Sequence, residues 1–341
     1  MNMYFSTFIT GLSEVVKNEL IESIQDISIK SVQDGLIIYG SSCKNTEIIS
    51  LRFLNNTFTL IKTFKDVENS TQSINRIIKN IIQDNNLFYH LKNKVPQYSK
   101  TFRIIISVEN QMTRHDKNVL PKLENKIIEA TNLKVHKSLP DVEFWLYIRR
   151  EKHAYFGIRL THNKEQKKIL ARGELRSELS HILAYISNPS KNDVFLDPFS
   201  GSGSIPKEII KSFPYRKIIV IDNDKILVDK LGKYKDINKK NVVIQKMNAL
   251  HLYNIKNETI NKIVTDPPWG ITMGKNLNLN VFYKNMLNEF KRILVKNGVA
   301  IILMGNNDIF ENILNNNDFT VEKTYNILVS GKKARIYTLV K

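Results

Sequence analysis

The C-terminal half of the chain alternates short apolar runs with helical segments, and this pattern restricts the fold more than any other feature. From about Asp193 onward, five runs rich in valine and isoleucine are separated mostly by helical segments: VFLD, KIIVID, VVIQK, KIVTD and VAIILM. Apolar strands with helices between them are typical of a parallel sheet covered on both faces. We therefore expect a Rossmann-like α/β domain over residues 193–341, in which FTVEKTYNILV and ARIYTLV form a final antiparallel hairpin.

The first 192 residues divide into three further segments. Residues 1–66 have the pattern of a small α+β unit, with helical spacing in GLSEVVKNELIES. Residues 67–162 combine an alternating strand, a helix that begins near Pro121 and two more alternating strands, which predicts a helix packed on a small mixed sheet. Residues 163–192 are expected to be a linker with a helix, because the basic stretch HNKEQKKILARGELR precedes the helical ELSHILAYI.

A glycine-rich loop, VFLDPFSGSGS, follows the first strand of the C-terminal domain. Gly201 and Gly203 would let the backbone approach a ligand at the carboxyl end of that strand. The loop lacks a dinucleotide fingerprint, because Pro206 occupies the place of its third glycine. Asp197 would repel a pyrophosphate but suit a cation, so the charge favours S-adenosylmethionine, with its sulfonium and ammonium groups, over a nicotinamide cofactor.

Polar residues follow the next two strands. Asp222 ends the second strand and can accept hydrogen bonds from both hydroxyls of a ribose, although an acidic residue there could also cap a helix, which Asp224 fits better. Asn248 follows the third strand and could contact an adenine amino group or be an ordinary polar loop residue.

The loop after the fourth strand reads TDPPWG, and each of its residues has a physical use beside a planar amine. The carboxylate of Asp266 can accept an amine N–H and stabilise positive charge as it develops. Pro267 and Pro268 fix the backbone and leave carbonyls free to accept a second N–H. Trp269 offers a face for base stacking. The same residues could form a Pro-Pro turn with a core tryptophan, but their position after a fourth parallel strand favours the amine site.

The charge and composition restrict partners and location. The net charge of +18 favours a polyanionic partner such as nucleic acid, although a genome that favours Asn, Ile and Lys codons would produce the same balance. With Cys43 as the single cysteine, an intrachain disulfide and a cysteine-based zinc site are excluded. The sequence shows neither a secretory signal nor an apolar run long enough for a bilayer, so we expect a cytoplasmic protein without membrane contact. We also expect a monomer.

These motifs together carry a family resemblance. DPFSGSGS with TDPPWG resembles the class I S-adenosylmethionine-dependent amino-methyltransferases. The opening TFITGLSEVVKNEL, the runs TFRIIISVEN and LPDVEFWLYIRREKHAYFGIRL, and ARGELRSELSHIL are similar to the RNA guanine-N2 methyltransferases that carry an N-terminal THUMP domain. The resemblance implies a ferredoxin-like segment over residues 1–66, a THUMP-like RNA-binding domain over 67–162, and an RNA substrate, most simply tRNA.

The resemblance also implies the roles of the site residues. The target guanine would be held by Asp266, Pro267, Pro268 and Trp269. The predicted cofactor-binding residues are Asp197, Phe199, Ser200, Gly201, Gly203, Asp222 and Asn248. The chain departs mildly from the family pattern, with serine for cysteine at Ser200, serine for threonine at Ser204, asparagine for aspartate at Asn248 and tryptophan for tyrosine at Trp269.

Three alternatives stay open. A 23S ribosomal RNA guanine would need the same chemistry, and a DNA amino-methyltransferase would also use an Asp-Pro-Pro-aromatic loop, although the THUMP-like region argues against DNA. A nonenzymatic RNA-binding module with a decayed pocket is disfavoured by the intact carboxylates and glycines of both loops.

Overall fold

The chain divides into two compact units that are discontinuous in sequence. The structure, a computed structural model, describes residues 1–109, 111–112, 119–161, 174–234, 237, 239–270, 274, 277–305, 307–329 and 331–341. The first unit comprises Met1–Thr7, Ser23–Leu51 and Asn56–Lys164, and the second comprises Phe8–Glu22, Arg52–Asn55 and Glu165–Lys341.

The first unit is built on one mixed sheet. Its strands are β1 (Asn2–Thr7), β2 (Ser28–Gln33), β3 (Leu36–Ser41), β4 (Asn56–Lys65), β5 (Thr101–Val108), β6 (Gln111–Met112), β7 (Lys134–Val135), β8 (Val142–Ile148) and β9 (His153–Arg159). Among the described residues the order is β2-β3-β1-β4-β9-β8-β5-β6, with β7 paired to β5. The predicted mixed pairing is present, because β5 runs parallel to β8 whereas β8 and β9 are antiparallel.

Helices pack on this sheet through apolar stripes. The helices that lie wholly in this unit are α2 (Asn45–Ile49), α3 (Thr71–Ile82), α4 (Asn85–Leu91) and α5 (Leu120–Thr131); α1 (Ser13–Ser23) precedes them in the chain. Ser70 caps α3 by accepting a hydrogen bond from the Ser73 N–H, and Ile74 and Ile78 lie among its buried residues. Because β4 pairs with β9, the predicted segments 1–66 and 67–162 share this sheet, and their separate domain status stays a prediction.

The second unit contains the predicted parallel sheet. Its strands are β10 (Val194–Asp197), β11 (Lys217–Asp222), β12 (Val242–Lys246), β13 (Ile260–Thr265), β14 (Leu294–Met304), β15 (Thr320–Val329) and β16 (Lys332–Val340). Its remaining helices are α6 (Ser177–Ile186), α7 (Ser204–Ser212), α8 (Lys225–Lys233), α9 (Leu279–Ile293) and α10 (Asn307–Leu314). The described strands form a seven-stranded sheet in the order β12-β11-β10-β13-β14-β16-β15, which confirms the Rossmann-like architecture.

The sheet is parallel from β12 to β14 and ends in the expected antiparallel hairpin of β15 and β16. All four residues of β10 are buried, as its apolar sequence requires at the centre of the sheet. The helix α9 covers one face through buried side chains such as Phe282, Met286 and Phe290. Burial of each such side chain stabilises the fold by about 1.5–3 kcal/mol.

A buried polar cluster attaches α1 and the segment Arg52–Asn55 to the second unit. The His181 Nε2 of α6 lies 2.5 Å from the Glu19 Oε1 of α1, and Arg52 donates two hydrogen bonds to Glu208 of α7. Burial raises the pKa of Glu19, although its hydrogen bond with His181 acts in the opposite direction. Part of the segment predicted as an N-terminal domain therefore packs in the second unit.

Two expectations concern other parts of the chain. The basic part of the predicted linker, residues 163–173, lies outside the described residues. Across the residues that the structure describes, we find no helix with the length and apolar content that crossing a bilayer requires.

Candidate active site

The sheet places the two predicted loops side by side. Strands β10 and β13 are parallel neighbours, with Leu196 opposite Ile263. The chain continues from β10 toward β11 on one side and from β13 toward β14 on the other, so the crevice between the loops lies at the point where the strand order reverses. Thr265 Oγ1, the last side chain of β13, donates a 2.8 Å hydrogen bond to Asp197 Oδ1. The glycine-rich loop and the TDPPWG loop are thereby joined by a direct buried contact.

The glycine-rich loop is held by backbone hydrogen bonds. The Ser200 N–H donates to the Ile221 carbonyl at 3.0 Å, and the Gly201 N–H donates to Asp222 Oδ2 at 2.8 Å. The second oxygen of Asp222 accepts from the Asp224 N–H. Asp222 therefore orients the loop as well as standing at the end of β11, and Asp224 caps α8 as expected.

The two glycines of this loop have different surroundings. Both have positive φ, at 51° for Gly201 and 79° for Gly203. A Cβ on Gly201 would meet nothing within 4 Å, whereas a Cβ on Gly203 would lie 2.5 Å from Leu231. Open space beside Gly201 agrees with close ligand approach. Position 203 needs glycine because the loop packs closely against Leu231 of α8. The sequence reasoning had instead attributed both glycines to close approach of a ligand.

Asp197 is a buried carboxyl with two hydrogen-bond donors, the Thr265 hydroxyl and the Phe199 N–H. Burial raises its pKa to about 7, the two donors lower it, and the nearby Asp222 and Asp266 raise it further. A buried acid of this kind is favoured as an ion when a cation binds beside it. The ring of Phe199 packs against Phe282 of α9, and this contact helps to fix the shape of the glycine-rich loop.

Asn248 lies after β12 and is exposed. Its Oδ1 accepts a 3.0 Å hydrogen bond from the Leu250 N–H, which forms a local turn. This contact is what an ordinary polar loop residue would make, and contact of Asn248 with adenine stays a prediction.

The TDPPWG loop is fixed by side chains around it. The Trp269 Nε1 donates a 2.7 Å hydrogen bond to Asp266 Oδ1, and the Tyr283 hydroxyl of α9 donates to the Pro268 carbonyl at 2.9 Å. Burial raises the pKa of Asp266 to about 7, and the hydrogen bond from Trp269 lowers it. The expectation that the proline carbonyls are free is therefore modified at Pro268, whose carbonyl already holds the loop to α9.

The site suits a polar, positively charged ligand. The buried Ser200 Oγ has no hydrogen-bond partner in the described part of the chain, and the space beside Gly201 is open. The carboxylates of Asp197 and Asp222 stand on adjacent strand ends, where they can accept hydrogen bonds from ammonium or hydroxyl groups. Within the described ranges, no cluster of His, Cys, Asp or Glu is arranged to hold a metal ion.

Sequence reasoning gave no role to Thr265, which joins the two loops, or to Tyr283 and Gly305, which contact the TDPPWG loop. Thr265 stands inside the quoted motif, and its position beside an aspartate on a parallel strand is the signal that could have found it. Tyr283 and Gly305 lie on elements whose packing follows only from the three-dimensional fold.

Comparisons with solved structures support this fold over the full chain. TrmN from Thermus thermophilus superposes with a TM-score of 0.80 at 18% identity, covering 100% of both chains. SMU.472, solved in complex with SAH, superposes with a TM-score of 0.70 at 15% identity, covering 99% of this chain and 97% of that one. At these identities the likeness is one of fold.

Comparisons at the sequence level each match about half of the chain. A protein of Methanocaldococcus jannaschii named tRNA (guanine(6)-N2)-methyltransferase is 24% identical over an alignment of 204 residues, and the match covers 48% of this chain and 53% of its own length. The matching region thus spans about half the length of this curated relative. The sequence model of the UPF0020 family, described as an RMKL-like methyltransferase domain, matches residues 164–335, just over half of the chain. The chain therefore belongs to the UPF0020 family of RMKL-like methyltransferase domains.

Proposed function

We propose that this protein transfers a methyl group from S-adenosylmethionine to the exocyclic N2 amine of a guanosine in tRNA. The observation that carries the proposal is the half-buried Asp266 carboxyl in the loop beside the glycine-rich loop, where Thr265 donates a hydrogen bond to Asp197 and so joins the two loops. The curated relative named tRNA (guanine(6)-N2)-methyltransferase supports guanine N2 and tRNA as the target.

The cofactor would be held by the residues around the glycine-rich loop. Asp197 and Asp222 supply carboxylates for its ammonium and ribose groups, Gly201 supplies open space, and Ser200 supplies a buried hydroxyl without another partner. Phe199 shapes the loop, and Asn248 is proposed for the adenine amine. When bound, S-adenosylmethionine would supply an electrophilic methyl group, carried on a sulfonium sulfur, for the target amine.

Asp266 acts on the amine. The lone pair of a guanine amine is delocalised into the ring, so orientation and stabilisation of developing positive charge account for most of what the protein can contribute. As a carboxylate, Asp266 accepts an amine N–H and directs the nitrogen toward the cofactor side of the crevice. Because burial brings its pKa to about 7, the same group can also accept the proton that the methylated amine releases.

Pro267, Pro268 and Trp269 hold the base. The two prolines keep the loop stiff, and the Tyr283 hydroxyl ties it to α9. The half-buried indole of Trp269 provides a stacking face for a base that has left its helix. Stacking of this kind contributes about 1–3 kcal/mol per base.

The first unit is proposed to dock the RNA. The chain as a whole carries 51 Lys and Arg against 33 Asp and Glu, which favours binding to phosphates. The ferredoxin-like and THUMP-like assignments, the cytoplasmic location and the monomeric state stay predictions.

Mass-spectrometric mapping of nucleosides from wild-type cells and from a strain lacking the gene tests the proposal. We expect N2-methylguanosine to disappear from one tRNA position and to return when the intact gene, but not the Asp266→Ala variant, is supplied. Loss from 23S ribosomal RNA would move the substrate to that RNA, and an unchanged set of tRNA nucleosides would contradict the tRNA proposal.

A further inference from the structure

The indole of Trp269 contacts the Asp266 carboxyl through its N–H as well as lying beside the base site. The Nε1–Oδ1 distance is 2.7 Å, which is typical of a strong, charge-assisted hydrogen bond. Stacking uses the face of a ring and would be served by phenylalanine, whereas this contact needs an indole N–H. The edge of Trp269 therefore has a function distinct from its face.

A glycine at the end of β14 makes room for this ring. A Cβ on Gly305 would lie 1.8 Å from Cε3, 2.2 Å from Cδ2 and 2.6 Å from Cζ3 of Trp269. The φ of Gly305 lies outside the left-handed region, so its backbone would accept any residue and the obstacle is the indole itself. The indole of Trp269 thus lies in a slot beside the Gly305 backbone, and a side chain at position 305 would fill that slot.

We propose that Trp269 and Gly305 are positioning residues for Asp266. Gly305 leaves the slot in which the indole lies, and the indole N–H holds Oδ1 of Asp266 so that Oδ2 faces the target amine. This inference rests on the proposed function for its consequence in catalysis, but the contact itself can be tested without any substrate.

Charge in the site gives the contact a measurable signature. Burial raises the pKa of Asp266 to about 7, and the hydrogen bond from Trp269 opposes this rise. Asp197 on β10 is a neighbouring described acid, since the charge of Asp266 raises its pKa, and the Tyr283 hydroxyl on α9 donates to the Pro268 carbonyl. Removal of the indole N–H should raise the pKa of Asp266 further and leave less of it ionised at neutral pH.

The chain contains a matched internal reference. Of its two tryptophans, the other is Trp145, whose Nε1 donates to Glu143 Oε2 at 3.0 Å. Burial would raise the pKa of Glu143, but hydrogen bonds from Trp145, Arg103 and Arg159 outweigh it, and the pKa is lowered. Both indoles therefore donate to carboxylates, but only the partner of Trp269 should titrate near neutral pH.

The experiment is a pH titration of the two indole N–H signals of the full-length, ¹⁵N-labelled protein by NMR, without RNA or cofactor. We expect the Trp269 signal, assigned by its loss in Trp269→Phe, to shift with a midpoint near pH 7, while the Trp145 signal stays constant from pH 6 to 9. The Asp266→Asn variant should abolish the shift. A constant Trp269 signal, or a shift that persists in Asp266→Asn and so reports Asp197, would overturn the proposal.

Gly305→Ala tests the slot against a matched control. It should displace the Trp269 signal and remove its titration, whereas Gly232→Ala should change neither, because a Cβ on Gly232 meets nothing within 4 Å. A Gly305→Ala protein with an unchanged Trp269 titration would overturn the role of Gly305. If Gly305→Ala fails to fold, the Trp269→Phe and Asp266→Asn measurements still decide the contact.

The kinetic consequence separates positioning from stacking. Trp269→Phe retains an aromatic face, so we expect a several-fold loss of kcat at pH 7 that is recovered at pH 9, with unchanged affinity for S-adenosylmethionine. A loss of equal size at both pH values would contradict positioning through ionisation. If the wild-type protein methylates no RNA, the proposed function fails, while the NMR titration still tests the contact.

Discussion

Replacing Asp197 by asparagine should stabilise the protein without ligand while removing its affinity for the cofactor. Asparagine has nearly the same shape and can still accept the hydrogen bonds from Thr265 and the Phe199 N–H. It carries no charge, so it avoids the cost of an ionised group in a fully buried position. Because a cofactor with an ammonium group needs that charge, the same change should weaken binding strongly.

The magnitude follows from the pKa. Burial raises the pKa of Asp197 from 3.8 to about 7, so between these values the folded protein binds more protons than the unfolded chain. Stability must therefore fall as pH rises through this window and level off above it. At about 1.36 kcal/mol per pH unit, the full difference is about 4 kcal/mol, an upper bound because Asp266 titrates together with Asp197.

Urea unfolding followed by tryptophan fluorescence can measure this in the second unit. In a Trp145→Phe background, Trp269 is the single tryptophan and lies in the same unit as Asp197. We expect Asp197→Asn to exceed its parent in unfolding free energy by up to about 4 kcal/mol at pH 8 and to match it near pH 4. A stability difference that does not change with pH would refute the reasoning, and so would lower stability of the variant at pH 8.

Three further outcomes are expected. Asp266→Ala should abolish methyl transfer but leave calorimetric binding of S-adenosylmethionine nearly unchanged; a matching loss of both would place Asp266 in the cofactor site. Asp141→Asn should lose stability at neutral pH and differ less from the wild type in acid, the reverse of Asp197, because backbone N–H groups of Lys100 and Thr101 and the Thr101 hydroxyl lower the pKa of that exposed carboxyl; thermal unfolding at pH 3 and pH 7 measures this. RNA affinity should fall steeply as salt rises, and titrations at several salt concentrations that show constant affinity would refute docking through phosphates.

The second unit was predictable because its pattern is local and repetitive. Buried parallel strands have continuous apolar sequences, and glycines and prolines mark the loops at their ends. The hairpin of β15 and β16 and the helix α7 after the glycine-rich loop follow from the same signals. The adjacency of Asp197 and Asp266 then follows from strand order alone.

The remaining features depend on contacts distant in sequence. Glu19 and His181 are 162 residues apart, and no local pattern indicates that α1 packs with α6. Likewise, the hydroxyl of Tyr283 and the bare backbone of Gly305 act on TDPPWG only because the sheet brings α9 and the end of β14 beside it. A sequence can mark such residues as apolar or as glycine, but their partners are set by packing.

Incubation of the purified protein with methyl-labelled S-adenosylmethionine and nucleic acids from a strain lacking the gene tests the central claim most directly. We predict label in the tRNA fraction, recovered after digestion as N2-methylguanosine, and none with the Asp266→Ala variant. Label in DNA, label on another nucleoside, or no label in any fraction would contradict guanine-N2 methylation of tRNA.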